Sequence, residues 1–402
     1  MRSQLVRIGS ICDLINGRAF KPTDWSSDGL PIVRIQNLNN PDAKFNHFNG
    51  EVRERFLIDN GALLFAWSGT PGTSFGAHVW RGGRAVLNQH IFHIVFDKIK
   101  VNKTYFLFAL NQKVAELIDK AHGGVGLQHV TKGVVEDTEI YLPSLDEQCR
   151  IVDVLSRADG IVRLRRQAKQ KAAALLPALF VEMFGDPSTN PKGWPMRSVR
   201  ELVARFEGGK NLQAASEGST DFRILKVSAV TSGEYVEDQS KPTPDDYEPP
   251  SNHIVREGDM LFSRANTEEL VGATAVVRST NGRTLLPDKL WRFVWAEPVE
   301  QGFMHALFQS SHVRQELGKL SSGTSASMRN ISQAKLFELR LPVPPLAQQS
   351  VFARHAEALQ SIQLQQSLAF EKAMATFDAL LARAFLAERA ADAVHAAEGA
   401  LA

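Results

Sequence analysis

LPSLDEQCRIVDVLSRADGIVRLRRQAKQKAAALLPALFVEMFGDP, residues 142–187, decides the architecture, because a degenerate second copy lies near the C-terminus. That copy, residues 341–388, reads LPVPPLAQQSVFARHAEALQSIQLQQSLAFEKAMATFDALLARAFLAE. A single offset of 201 positions pairs Leu145 with Leu346, Gln148 with Gln349, Ile151 with Phe352, Ile161 with Ile362, Leu179 with Leu380 and Phe184 with Phe385. A period this long excludes a solenoid, so the repeating unit is a whole module made of a globular part and a helix.

The segments around each copy agree with that reading. Residues 1–141 mix short β-rich runs with turn clusters, predicting strands at Pro31–Ile35, Ala62–Trp67, Ala77–Trp80 and Ile91–Phe96 and helical spacing over Thr104–Ala121. The glycine-rich GGVGLQHVTKG, residues 123–133, closes this first domain. A helix is expected over 142–186, N-capped by Asp146, with Val154, Ala158, Ile161, Ala168, Ala172, Leu175 and Leu179 forming a coiled-coil seam. Pro177 is expected to kink that helix or end it a turn early.

A glycine- and proline-rich linker, 187–195, opens the second domain, 187–340. There Val199, Leu202, Phe206 and Gly208 follow Ile8, Ile11, Ile15 and Gly17 by 191 places. GDMLFSRAN from Gly258 repeats GALLFAWSG from Gly61, and SGTSASMRNIS from Ser322 repeats the glycine turn. A second helix is expected over 341–390, with Leu359, Ile362, Ala369, Ala373, Thr376 and Leu380 on its stripe, and 391–402 form a tail. The fold class is therefore α+β: two mixed α/β domains in tandem repeat, each followed by a long helix. The two helices are expected to pack as an antiparallel coiled-coil spacer with pseudo-twofold symmetry, a layout that suits a bipartite target.

The 402 residues hold 44% hydrophobic side chains, enough for a core in each module. With 46 basic and 44 acidic residues the net charge of +2 neither demands nor excludes nucleic acid. Cys12 and Cys149 are too few for a disulfide framework, which points to a reducing cytosol. The first residues lack an apolar stretch fit for export, and the most apolar run, Ala172–Phe184, is too short to span a bilayer, so no membrane association is expected. His78, His90, His93 and His129 show no metal-ligand spacing.

With these residues in view, the chain resembles the specificity subunits of Type I restriction-modification enzymes. The resemblance rests on the Leu-Pro followed by Gln at Leu142–Gln148 and Leu341–Gln349, on LFVEMFGDPSTNPKGWP at Leu179–Pro195, and on the two glycine turns. It implies two target-recognition domains that each read half of a split double-stranded DNA sequence. It also implies two helical regions that space them and dock two methyltransferase subunits, with restriction/translocase subunits completing the assembly in the cytoplasm. The second copy departs from the family pattern in LPVPPLAQQ and in ending AFLAE rather than MFGDP.

Candidate DNA-contacting residues follow from side-chain chemistry. Arg34, Gln36 and Asn37 can pair with guanine or adenine edges, and Trp67, Ser68 and Thr70 follow another strand. Gly124, Gln128, His129 and Thr131 lie in the glycine turn, whose backbone amides suit a phosphate oxygen. The second-domain counterparts are Lys226, Ser228, Arg264, Asn266, Lys289, Gly323, Arg329 and Asn330. Trp291 and Trp295, alternating with Arg292 and Phe293, read as core. The candidate partner-binding residues are Gln148, Ile151, Ile161, Leu179, Gln349, Phe352, Ile362 and Leu380. The basic run Arg163, Arg165, Arg166, Lys169 and Lys171 has the ordinary reading of a solvated helix face, against phosphate contact or an acidic partner patch.

No S-adenosylmethionine loop with an Asn/Asp-Pro-Pro-aromatic tetrad, no GxxxxGK[ST] loop and no metal-nuclease carboxylate set is found in the sequence. Catalysis is therefore expected in partner subunits, which would hold S-adenosylmethionine, ATP and magnesium, while this chain binds no cofactor. The competing readings are a self-contained restriction enzyme and a scaffold that binds protein rather than DNA.

Overall fold

The structure, a computed structural model, describes residues 4–40, 42–70, 75–124, 127–212, 221–244, 247–325 and 328–399. The chain divides into two compact units, Met1–Arg165 with Phe370–Ala402, and Arg166–Ala369. The chain's two ends thus belong to one unit.

In the first unit a four-stranded antiparallel sheet runs in the order Cys12–Asn16, Ile91–Phe96, Leu63–Ala66, Gly76–Val79. Its apolar face packs on helices Lys103–Gln112 and Val114–Asp119 through Leu14, Phe65, Phe92, Tyr105, Phe106 and Leu117. The helical spacing over Thr104–Ala121 therefore resolves into two helices broken at Lys113. A second sheet has the order Asn46–Phe48, Leu30–Val33, Ala85–Leu87, Leu57–Ile58. A three-stranded ribbon joins His122–Gly124, Leu127–His129 and Ser68–Gly69.

The second unit repeats the plan. Its main sheet is Val203–Gly208, Leu290–Trp295, Met260–Ser263, Thr274–Val276, and its ribbon is Ala265–Asn266, Met328–Asn330, Ser322–Ser325. The turn that enters the third strand needs a left-handed residue in both copies, Gly61 at φ 88° and Gly258 at φ 86°. Trp291 and Phe293 are buried, in keeping with the core reading of that strand.

Two long helices, Leu145–Phe184 and Leu346–Gly399, complete the units. The first starts one residue before Asp146, and Ser144 Oγ, not Asp146, accepts from the Glu147 N–H. It also runs unbroken through Pro177. Proline removes a backbone hydrogen bond there at a cost of about 3 kcal/mol. The turns beyond it are held by Phe180 and Phe184, which pack on Phe303 and Phe352 with centroid separations of 4.9–5.8 Å. The last helix continues to Gly399, through the stretch expected as a tail.

Within the second unit the helices run antiparallel. Gln363 donates to the Ala172 carbonyl and Phe180 meets Phe352, so advancing along one helix means retreating along the other. The repeat can be followed side chain by side chain. Phe184 lies against Phe303 in the second unit, and its repeat partner Phe385 lies 5.5 Å from Tyr105 in the first. Phe352 joins the second core and its partner Ile151 packs on the first.

The side of the helices that is buried differs from the expected seam. Leu155, Ala158, Val162, Ala172, Phe180 and Phe184 face inward, whereas Val154, Ile161 and Leu175 are exposed. A one-residue step along a helix turns the face by about 100°. Ala158 and Ala172 satisfy both patterns, which is why spacing alone chose the neighbouring stripe.

Candidate nucleic-acid interface

The sequence-separated candidates of each domain meet at one end of its main sheet. In the first unit the strand Leu63–Ala66 leads into Trp67. Its N–H donates to the His90 carbonyl and its own carbonyl accepts from Val130 N–H, at 3.3 and 2.9 Å. Trp67 is therefore fixed where three segments converge. Its ring stacks on Phe92 at 5.5 Å, and its indole N–H donates to Asn16 Oδ1 at 3.3 Å. Next along the chain, Ser68 pairs with His129 and Gly69 with Gln128, so the strand end and the glycine turn form one ribbon. Ser68 is buried and His129 exposed. Thr70 is exposed, and Thr131 caps the following helix by accepting from Val134 N–H. Gly124 pairs with Leu127 across the ribbon. The Gln128 side chain and residues 125–126 of the turn lie outside the described residues.

The second unit sets Arg264 in the place of Trp67. Its N–H donates to the Lys289 carbonyl and its carbonyl accepts from Ile331 N–H, at 3.1 and 2.9 Å. The guanidinium lies over the Trp291 ring at 5.6 Å, with Nε donating to the Asp288 carbonyl at 2.8 Å. Ala265 pairs with Asn330 and Asn266 with Arg329. Gly323 has to be glycine, since a Cβ there would come within 2.2 Å of the Met328 carbonyl. Residues 326–327 of this turn lie outside the described residues.

Other candidates stand elsewhere or are occupied. Asn37 is buried, its Oδ1 accepting from Arg34 N–H and its Nδ2 donating to the Ala43 and Lys44 carbonyls, so it holds a turn and has no free edge for a base. Arg34 lies over Trp25, and Gln36 is exposed on the same turn. Arg329 is a staple of its own ribbon, donating to Ser321 and to the Gly323 carbonyl. Asn266 accepts from Thr267 N–H, and Ser228 donates to Gln239 Oε1. Lys226 is exposed, Lys289 partly so.

Three residues at this end were not anticipated: Asn16, Gly208 and Arg18. Arg18 lies 4.3 Å from the Phe48 ring and 5.1 Å from that of Phe20. Asn16 and Gly208 are equivalent in the sheet, because Asn16 pairs with Phe92 and Gly208 with Trp291. The sequence offset of 191 instead matched Gly208 to Gly17. An irregularity between Val203 and Arg205 inserts the extra residue. His90, beside Trp67, is held neutral-leaning by burial, which lowers its imidazole below the usual range.

The partner-binding candidates separate sharply. Ile161 and Ile362 are exposed by 54% and 41%, as docking requires. Ile151, Leu179 and Leu380 are only partly exposed. Phe352 is fully buried, and Gln148 and Gln349 are internal clamps. Gln148 Oε1 accepts from Asn102 N–H at 2.7 Å, while Nε2 donates to the Lys100 and Pro143 carbonyls. Asn102 caps the helix Lys103–Gln112. Gln349 repeats the device, accepting from Glu300 N–H at the cap of Gln301–Gln309 and donating to the Pro344 carbonyl. Each Leu-Pro…Gln mark therefore locks a long helix to the domain helix beside it.

Replacing Gln148 with leucine is expected to cost about 2–3 kcal/mol, because it strands buried backbone groups without partners. Urea unfolding measures this loss. An unchanged midpoint would return Gln148 to the docking surface.

In the basic run, Arg163 pairs with Asp159 one turn back, and Arg165, Arg166 and Lys171 are exposed. Among the described residues no group of three or more His, Cys, Asp or Glu side chains could hold a metal ion, and no helix is long and apolar enough to cross a membrane.

Two tandem modules, each presenting a strand end and a glycine ribbon and each locked to a long helix, define a two-module recognition scaffold. Residues 2–173 match the Type I restriction modification DNA specificity domain. The chain is 22% identical over 89% of its length to the MjaVIII specificity subunit, a Type I restriction enzyme component of Methanocaldococcus jannaschii, of which it covers 86%. The EcoEI specificity subunit of Escherichia coli is 28% identical over 46% of this chain and 32% of that protein. Among solved structures, the S subunit of a Type I restriction-modification system from M. genitalium has the same fold, with a TM-score of 0.59, 13% identity and 96% of each chain covered. Over residues 2–173 the chain is thus similar to the Type I restriction modification DNA specificity domain, and over most of its length to a Type I specificity subunit.

Proposed function

We propose that this chain is the DNA-reading subunit of a Type I restriction-modification system, in which each globular module recognises one half of a bipartite sequence. The observation that carries the reading is the duplicated site with changed side chains. The same convergence of strand end, ribbon and crossing strand presents Trp67 in one module and Arg264 in the other. A scaffold repeated for stability alone has no need of a different side chain at this shared convergence, whereas a reader of two different half-sites requires one.

Methyltransferase subunits dock on the long helices, with Ile161 and Ile362 at corresponding exposed positions. The partners supply S-adenosylmethionine, ATP and magnesium chemistry, and this chain contributes none of it. Two methyltransferase subunits suit a scaffold with two like helices, and restriction subunits join them in the cytoplasm.

Methylome sequencing with and without this gene tests the function. The expected result is loss of one bipartite adenine-methylation motif on deletion. Exchange of residues 1–141 for those of a relative should alter one half of the motif and leave the other. An unchanged methylome in the deletion would overturn the reading.

A further inference from the structure

The same position is built differently in the two modules, and the difference is coupled across two strands. In the first, Asn16 reaches across to hold the Trp67 indole N–H, so the ring's single donor is occupied. In the second, the residue equivalent to Asn16 is Gly208, with no side chain, and Trp67 is replaced by Arg264. The space beside the aromatic ring is taken by the guanidinium, which lies over Trp291 with Nε held by the Asp288 carbonyl. Among the described residues neither Nη nitrogen of Arg264 has a hydrogen-bond partner. Its backbone is pinned on both sides by Lys289 and Ile331.

A guanidinium fixed at Nε and backed by a ring is a pre-oriented fork, its two Nη groups left as a pair of parallel donors. That geometry matches the O6 and N7 acceptors on the major-groove edge of guanine. The same fork fits a phosphate, but a phosphate contact carries no base preference, so selection of sequence separates the two.

We propose that Arg264 is the specificity-determining residue of the second module and reads a guanine in its half-site, while the Trp67 position of the first module cannot make that contact. This rests on the DNA-reading function proposed above. The two half-sites are therefore unequal at the corresponding place.

The test uses the full chain purified from its host with the subunits that accompany it, presented with randomised duplex DNA. Unmodified chain, R264K and R264Q are compared. The expected result is a bipartite sequence with a guanine in one half. Preference for that guanine falls roughly 10- to 100-fold in both variants, and the other half, which reports a folded chain, is retained. Full guanine preference in R264K would overturn the assignment, since charge alone would then suffice. So would uniform weakening of both halves, or variants that select the unmodified sequence. If the unmodified chain enriches no sequence, the DNA-reading function itself falls, and the role of Arg264 with it.

Discussion

Replacing Arg292 with methionine is expected to destabilise the second unit by about 3–5 kcal/mol at neutral pH. The Arg292 side chain is 7% exposed and lies between two carboxylates that are themselves sheltered. It donates to Glu207 Oε2 at 2.6 Å, to Asp259 Oδ2 at 2.9 Å and to the Asn252 and Ile254 carbonyls at 2.8 and 3.0 Å. Methionine would fill much of the volume and keep the strand, but it takes the guanidinium from two sheltered carboxylates and two carbonyls, leaving Glu207 with Arg205 and Asp259 with the Arg256 N–H. The loss is therefore one of electrostatics and hydrogen bonding.

The pH dependence identifies that cause. Burial pushes the Glu207 carboxyl up, but hydrogen bonds from Arg292 and Arg205 pull it further down, so it sits below the usual carboxylate range. A depressed folded-state value means the stabilisation is fully present above the unfolded value of about 4.3 and is lost as the pH falls through the lower folded value. Urea unfolding should accordingly show a large difference between the two proteins at neutral pH and a smaller one in acid. An equal difference at both would assign the effect to packing.

Phe184→Ala is expected to cost about 3–5 kcal/mol, the loss usual for a phenylalanine removed from a core. Phe184 is 4% exposed and contacts Phe180, Trp194, Phe303 and Phe352. Burying one such side chain contributes about 1.5–3 kcal/mol, so Phe180 and Phe184 together offset the roughly 3 kcal/mol penalty of Pro177. Without Phe184 that balance tips, and the helix should fray beyond Pro177. The repeat supplies the control. Phe385→Ala removes the equivalent ring from the first unit, where it is only partly buried, and should cost less. Thermal unfolding together with proteolysis after residue 177 reads both effects, and equal losses would contradict the dependence on burial.

The repeat, the mixed domains and the long helices were legible because each leaves a local trace. Apolar spacing, glycines demanded by left-handed turns and a 201-residue offset are all properties of chain order. The candidate site was legible only in outline. Trp67, Arg264 and the two ribbons stood out by their repeat positions, but Asn16 could not, because its equivalence to Gly208 passes through a strand irregularity.

Gln148 and Gln349 show the opposite difficulty. Their recurrence was plain, but recurrence does not distinguish a side chain offered to a partner from one hydrogen-bonded inside its own unit. Sequence by itself determined that this protein is one module written twice, since periodicity and turn chemistry act between near neighbours. Only the tertiary structure decided which helix stripe is buried, how a helix persists through Pro177, and which polar side chains stay available at the tip of each module. Those outcomes depend on residues distant in the chain, such as Phe303 against Phe184 and Gly208 against Trp291.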